Sequence, residues 1–228
     1  MGLSRINKPE PLAKKALKAL RSSILANDLT TGVVYNEKGL AADLGISRTP
    51  VREALLELSS KRLVRFLPQK GVIINTFSPK DVGDVFDVRT ALEVYAIGKI
   101  CGNGGPGDIS GLDACLGAQK AAARQNDTAG FMDADREFHI KLMALAGNNY
   151  LMEMMHDIRD IMHLMGVRAL EARERMARVI AEHEAILEAV GAGDASAASA
   201  AMADHLARSM DAVNQIEQEE EAHGKTGN

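Results

Sequence analysis

Three histidines and one aspartate of this chain fall where helical periodicity expects apolar side chains. Between Thr128 and Ala146 the inward positions run Phe131, Asp135, Phe138 with His139, Leu142 and Leu145, so Asp135 and His139 sit four apart on one face. Val179, His183, Ile186 with Leu187, and Val190 place His183 among aliphatics, and Met202, His205, Ser209, Val213 and Ile216 do the same for His205. Burying an unpaired carboxylate is expensive, and one carboxylate with three neutral imidazoles is a donor set that a divalent metal satisfies. Position 194, in the link Gly191-Ala192-Gly193-Asp194, lies midway between 183 and 205. An antiparallel pair of helices therefore brings these two imidazoles within about one turn of each other. A single histidine on an apolar stripe is commonly a hydrogen-bonded core residue; three, one with a carboxylate a turn away, point to a shared cation. His156, His163 and His223 lack that setting and read as partly exposed residues.

Arg89 also interrupts an apolar stripe, formed by Val82, Val85, Phe86, Leu92 and Ala96. A pairing with Glu93 at i+4 would account for it, worth only some tenths of a kcal/mol if exposed. A different chemistry is written in Gly45 to Ala54, Gly-Ile-Ser-Arg-Thr-Pro-Val-Arg-Glu-Ala. Gly45 can take a left-handed conformation, Ser47 is a good N-cap, and Pro50 is tolerated in a first turn. Val51, Ala54, Leu55 and Leu58 then form the buried stripe, leaving Arg48 and Arg52 on the wet face with Thr49 beside them. Two forked guanidiniums on a short helix suit base edges in a major groove and the flanking phosphates. The plainer alternative is a solvated helix face.

The elements that must carry these residues are legible. Pro11 to Ala26 has Leu12, Ala16, Leu17, Leu20, Ile24 and Leu25 at helical spacing; Glu37 to Leu44 forms a second helix with Lys38 exposed, and the turn after it leads into the third. Leu63 to Phe66 and Val72 to Asn75 read as a hairpin tipped by Lys70 and Gly71, where lysine can neutralise a phosphate and glycine permits close approach. Residues 1–77 hold 13 Lys and Arg against 6 Asp and Glu, residues 78–228 hold 14 against 25, so a net charge of −4 hides a basic head on an acidic body. The head's charge points to nucleic acid.

From Lys80 onward the period is helical: Asp81 to Ile100, Ile109 to about Arg124, Thr128 to Ala146 capped by Asp127, Leu151 to about Leu170, Arg173 to Val190, and Ala195 to about Glu221. The expected fold is mostly α: a winged helix-turn-helix over 1–76, a linker over 77–80, a six-helix antiparallel bundle over 81–222, and a disordered tail over 223–228. Cys101 and Cys115 are the only cysteines, no apolar run approaches 18 residues, and the N-terminus lacks a signal peptide's apolar segment. A cytoplasmic protein with reduced thiols, away from membranes, is the expectation.

Glu37, Leu40-Ala41, Leu44-Gly45, Ser47 to Leu55, Leu58 and Gly71 resemble the DNA-binding domain of the GntR family of bacterial transcription regulators, over roughly residues 9–76. Arg62 stands where that family usually has a glycine, and Gly39 lies inside the second helix. Asp135-x-x-Phe138-His139, Ala146-Gly147-Asn148, Glu182-His183-x-x-Ile186 and Met202-x-x-His205-Leu206 resemble the FCD effector domain of the family's FadR branch, over about 80–220, in the six-helix form of the VanR-type subgroup. The resemblance implies DNA contacts by Lys38, Ser47, Arg48, Thr49, Arg52, Lys70 and Gly71, and one divalent metal per chain held by Asp135, His139, His183 and His205. Zinc comes first, with nickel or manganese as alternatives. It also implies an effector pocket with Arg89, where a guanidinium fork and an open metal position would grip a small organic acid. The expected protein is a homodimeric repressor on an inverted-repeat operator of double-stranded DNA, not an enzyme. A regulator sensing the metal alone, or a hydrolase using a zinc-activated water, are the competing readings.

Overall fold

The computed structural model describes residues 10–102, 107–166 and 173–226. The chain divides into two compact units, Met1–Thr76 and Phe77–Asn228. In the first, α1 (Leu12–Leu25), α2 (Glu37–Asp43) and α3 (Arg48–Ser60) surround one core in which Ala16, Leu20, Ile24, Leu40, Val51, Leu55 and Leu58 are buried. Leu12, expected inside, is exposed. Asn36 caps α2 by accepting from the Gly39 N–H at 2.6 Å, which secures the helix that glycine weakens. Ser47 occupies the N-cap position of α3 with extended backbone, and its side chain makes no capping hydrogen bond. Gly45 takes the expected left-handed turn, φ +64. Arg62, in the glycine position, adopts φ +59, a conformation that costs a side-chain-bearing residue about 1–2 kcal/mol.

The wing has three strands. β2 (Val64–Leu67) and β3 (Gly71–Ile74) make the expected hairpin, and β1 (Val34–Tyr35) adds to the free edge of β3, giving the order β1-β3-β2, antiparallel throughout. Gly71 is bound by that pairing: its φ is +128, and a Cβ there would collide with the Tyr35 carbonyl oxygen. The glycine is thus required by packing against β1. Gly71→Ala is expected to destabilise the head by about 1–3 kcal/mol, read as a shift in its urea midpoint. An unchanged midpoint would mean that the β1–β3 contact tolerates a side chain.

The second unit is the expected six-helix bundle: α4 (Pro79–Gly102), α5 (Ser110–Gln125), α6 (Thr128–Leu145), α7 (Asn149–Gly166), α8 (Arg173–Gly191) and α9 (Ala195–Thr226). The linker is shorter than the expected 77–80. Pro79 and Lys80 already belong to α4, because Ser78 and Asp81 close a reciprocal cap: the Ser78 N–H donates to Asp81 Oδ2 at 2.9 Å and the Asp81 N–H to Ser78 Oγ at 3.2 Å. Where a frayed tail was expected from 223, α9 continues to Thr226. The Glu-rich run before it is a strong helix former, and a single glycine at 224 costs only about 1 kcal/mol. Residues 103–106 and the expected end of the fourth bundle helix, 167–170, lie outside the described residues. α4 packs along α9, α5 on α6, and α8 on α9, around Phe86, Ile97, Phe138, Leu142, Ile186, Ala198 and Met202. Among the described residues no helix is long and apolar enough to cross a membrane.

Candidate functional site

In the head, α3 presents Arg48 and Arg52 to solvent, and Glu37 at the start of α2 holds both. Arg52 Nη1 donates to Glu37 Oε1 at 2.9 Å and Arg48 Nη2 to Oε2 at 3.4 Å. Such exposed pairs contribute about 0–1 kcal/mol, so they splay the two forks without locking them. Lys38, Arg48, Arg52, Lys70 and Gly71 line one groove between the α2–α3 face and the wing, while Ser47 and Thr49 are exposed but outside its lining.

In the body, three helices bring the four candidate metal ligands together. Asp135 and His139 come from α6, His183 from α8 and His205 from α9. One ring nitrogen of each histidine lies within 4.8 Å of those of the other two, and all three side chains are buried. Asp135 Oδ1 stands 3.9 Å from His139 Nε2 and 3.7 Å from His183 Nε2. The α8–α9 hairpin delivers the expected facing pair, His183 Nε2 to His205 Nε2 at 3.4 Å.

The other nitrogen of every ring is engaged. His139 Nδ1 donates to Glu93 Oε2 at 2.5 Å, His183 Nδ1 to Gln119 Oε1 at 3.0 Å, and His205 Nδ1 to Glu182 Oε2 at 2.8 Å. Glu93 and Glu182 can only accept, which fixes the tautomers of His139 and His205; with Gln119 Oε1 accepting from His183, each Nε2 carries a lone pair, that of His139 facing Arg89 and those of His183 and His205 facing each other. Lone pair against lone pair at 3.4 Å is repulsive unless a cation lies between them, and three imidazoles with one carboxylate suit a borderline divalent ion. The residues fit a metal on this ground. Phe138 stacks on the His183 ring at 4.0 Å and 6°, fixing its plane.

Burial pushes all three imidazoles below their ordinary pKa, with Arg89 next in effect on His139 and His205 next on His183; at His205 the bond to Glu182 pulls back part of the way. They are neutral at pH 7, as metal ligands must be. Asp135 loses solvation too, but Arg159, followed by His139 and His183, holds its carboxyl far below the usual carboxylate range.

Arg89 is buried, so its bond to Glu93 (Nε to Oε1, 2.6 Å) is an interior ion pair and not the surface pair the spacing allowed. Its Nη2 also donates to His139 Nε2 at 2.8 Å. Arg89 lines a small cavity together with the polar Arg159, Arg175, Asp135, His205 and Ser209 and the apolar Phe86, Met132 and Met162. Periodicity missed Glu93, Gln119, Arg159, Arg175 and Glu182. Of these only Glu93 left a signal, lying four residues after Arg89. His163, read as partly exposed, is buried on α7, His156 is half-buried, and the His223 side chain lies outside the described residues.

The model of the bacterial regulatory proteins, gntR family, matches residues 12–74, and that of the FCD domain matches residues 84–208. An uncharacterized HTH-type transcriptional regulator in an unstable DNA locus of Streptomyces ambofaciens is 31% identical over 199 residues, covering 86% of this chain and 83% of its own. The gluconate operon transcriptional repressor of Bacillus subtilis is 26% identical over 180 residues, covering 77% and 74%. The crystal structure of a GntR transcriptional regulator from Rhodococcus sp. RHA1 superposes with a TM-score of 0.80 at 22% identity, covering 89% of this chain and 97% of that one.

Proposed function

Because this chain belongs to the gntR family of bacterial regulatory proteins and carries an FCD domain, we propose that it is a repressor whose hold on its operator is set by a small carboxylate at a metal centre in the helical unit. The head makes it a DNA-binding transcription regulator. What supports the effector reading is the body's interior: His205 and Asp135 line a cavity with Arg89, Arg159 and Arg175, and the rings of His139 and His183 cluster with His205 beside it. Zinc suits the three-nitrogen, one-oxygen donor set, with nickel and manganese next. A bound divalent cation supplies Lewis-acid positions for carboxylate oxygens. Arg89 orients the acid, Glu93 orients Arg89 and His139 together, and the apolar wall of Phe86 and Met132 limits water.

Two heads reading an inverted repeat require a homodimer. Val88 and Tyr95 on α4 and Tyr150 and Met154 on α7 are exposed large apolar side chains on adjacent helices, and they are the surface we assign to it. Control then follows from linkage: an acid that binds one arrangement of the bundle better than another weakens operator affinity by that difference.

The test is operator binding by fluorescence anisotropy on metal-loaded protein. Small organic acids are expected to release wild type but not Arg89→Met, which should keep the metal and the operator while losing about 2–5 kcal/mol of acid affinity. Release that tracks free metal alone would make the protein a metal sensor, and turnover of a substrate would make it a hydrolase. In the head, Arg52→Ala is expected to weaken specific binding by about 1–3 kcal/mol and Lys70→Ala to weaken all sequences evenly. Wild-type operator affinity in Arg52→Ala at moderate salt would remove α3 from the recognition role.

A further inference from the structure

The polar lining of the cavity holds more charge than one carboxylate and one arginine require. Three buried or half-buried arginines meet three carboxylates: Arg89 with Glu93 at 2.6 Å, Arg159 with Asp135, and Arg175 with Glu182 at 2.9 Å. With neutral imidazoles these groups balance. A divalent cation on Asp135, His139, His183 and His205 would leave the set with two positive charges in a water-poor interior, where uncompensated charge is strongly disfavoured. One carboxylate cancels only half of that.

The donors for a second anionic group are present. Arg159 is buried, and its Nε has no hydrogen-bond partner among the described residues although it lines the cavity. Arg175 lines it too, with Nη2 donating to Ser209 Oγ at 2.9 Å, which leaves the Ser209 hydroxyl proton free to donate. Of the other lining residues, Phe86, Met132 and Met162 offer no partner to hydroxyl groups. From the arrangement of these residues we infer that the effector is a small dicarboxylate with a short apolar middle, one carboxylate on the metal and Arg89, the other on Arg159, Arg175 and Ser209. This rests on the metal-and-acid reading above and narrows it: monocarboxylates and polyhydroxylated sugar acids are the excluded classes.

The experiment is calorimetric titration of the zinc-loaded full chain with malonate, succinate and glutarate, each beside its own monoamide, and with gluconate. The monoamide keeps the shape and removes one charge. At least one dicarboxylate is expected to bind tenfold or more tighter than its monoamide and than gluconate. Arg159→Met, with zinc content measured alongside because Arg159 also holds Asp135, should bring the dicarboxylate and its monoamide to within about threefold. Ser209→Ala, which touches no candidate metal ligand, should weaken the dicarboxylate several-fold with zinc content unchanged. A monoamide or gluconate that binds as tightly as every dicarboxylate overturns the inference and leaves the carboxylate-effector reading standing. Retained zinc with no acid bound overturns both, and loss of zinc from the wild type removes the metal on which both depend.

Discussion

Full-length protein purified without chelator is expected to hold about one divalent cation per chain, and His183→Ala to hold none. The expectation rests on how the three rings are held. Each Nδ1 is committed to an acceptor, so His183 and His205 meet through their Nε2 lone pairs at 3.4 Å, a contact that a cation relieves. A cation that binds only the folded bundle stabilises it by mass action, about 4 kcal/mol at a free concentration a thousandfold above its dissociation constant. For a unit of this size that is about 10 °C in Tm. The alanine variant also loses the Phe138 stack and the Gln119 partner, so its own melting shift mixes two causes. Chelation of the wild type separates them: the melting temperature should fall by about that amount and return on adding zinc, whereas His183→Ala should ignore both treatments. A wild-type midpoint indifferent to chelator and to added zinc, nickel or manganese would return these histidines to the core.

The donors of that centre could be read from the chain because each obeys the period of its own helix. Asp135 and His139 are one turn apart, and His183 and His205 are equidistant from Asp194 in the α8–α9 link, so helix geometry accounts for each pair. The groups that orient them obey no such rule. Glu182 precedes His183 and so cannot share its direction, yet it reaches His205 on the next helix. Arg159 approaches Asp135 from the neighbouring helix α7. Cross-helix partners depend on how two helices are set against each other, which one helix's periodicity does not contain. The same limit hid β1: two residues, Val34 and Tyr35, have no alternation to detect, and only the edge of β3 makes them a strand. Arg89 was legible in place but not in kind, since spacing gives its partner Glu93 and burial alone makes the pair an interior one.

That burial has a further expected result, a steep loss of stability below neutral pH. Desolvation holds the folded-state pKa of His139, His183 and His205 below the ordinary 6.5, helped at His139 by Arg89 and at His183 by His205. As pH drops through about 6.5 the unfolded chain takes up a proton at each of these positions and the folded bundle does not. Stability is therefore complete above that pH and declines below it, by up to about 1.4 kcal/mol per pH unit for each ring, or about 4 kcal/mol per unit for all three. Asp135 and Glu182 act in the same sense, at lower pH. Their folded pKa values are depressed, so their contribution is present above the carboxylate range and is lost as pH falls through it. A bound metal steepens the fall, because protons compete for its ligands. Urea midpoints of chelated protein between pH 7.5 and 5 measure the effect without the metal, with the head's own transition as an internal reference. The body's midpoint is expected to fall continuously from pH 7 to 5.5. A midpoint that stays level from pH 7 to 5.5 would mean the three rings take up protons in the folded bundle as readily as in the unfolded chain, and the facing of neutral lone pairs at His183 and His205 would go with it.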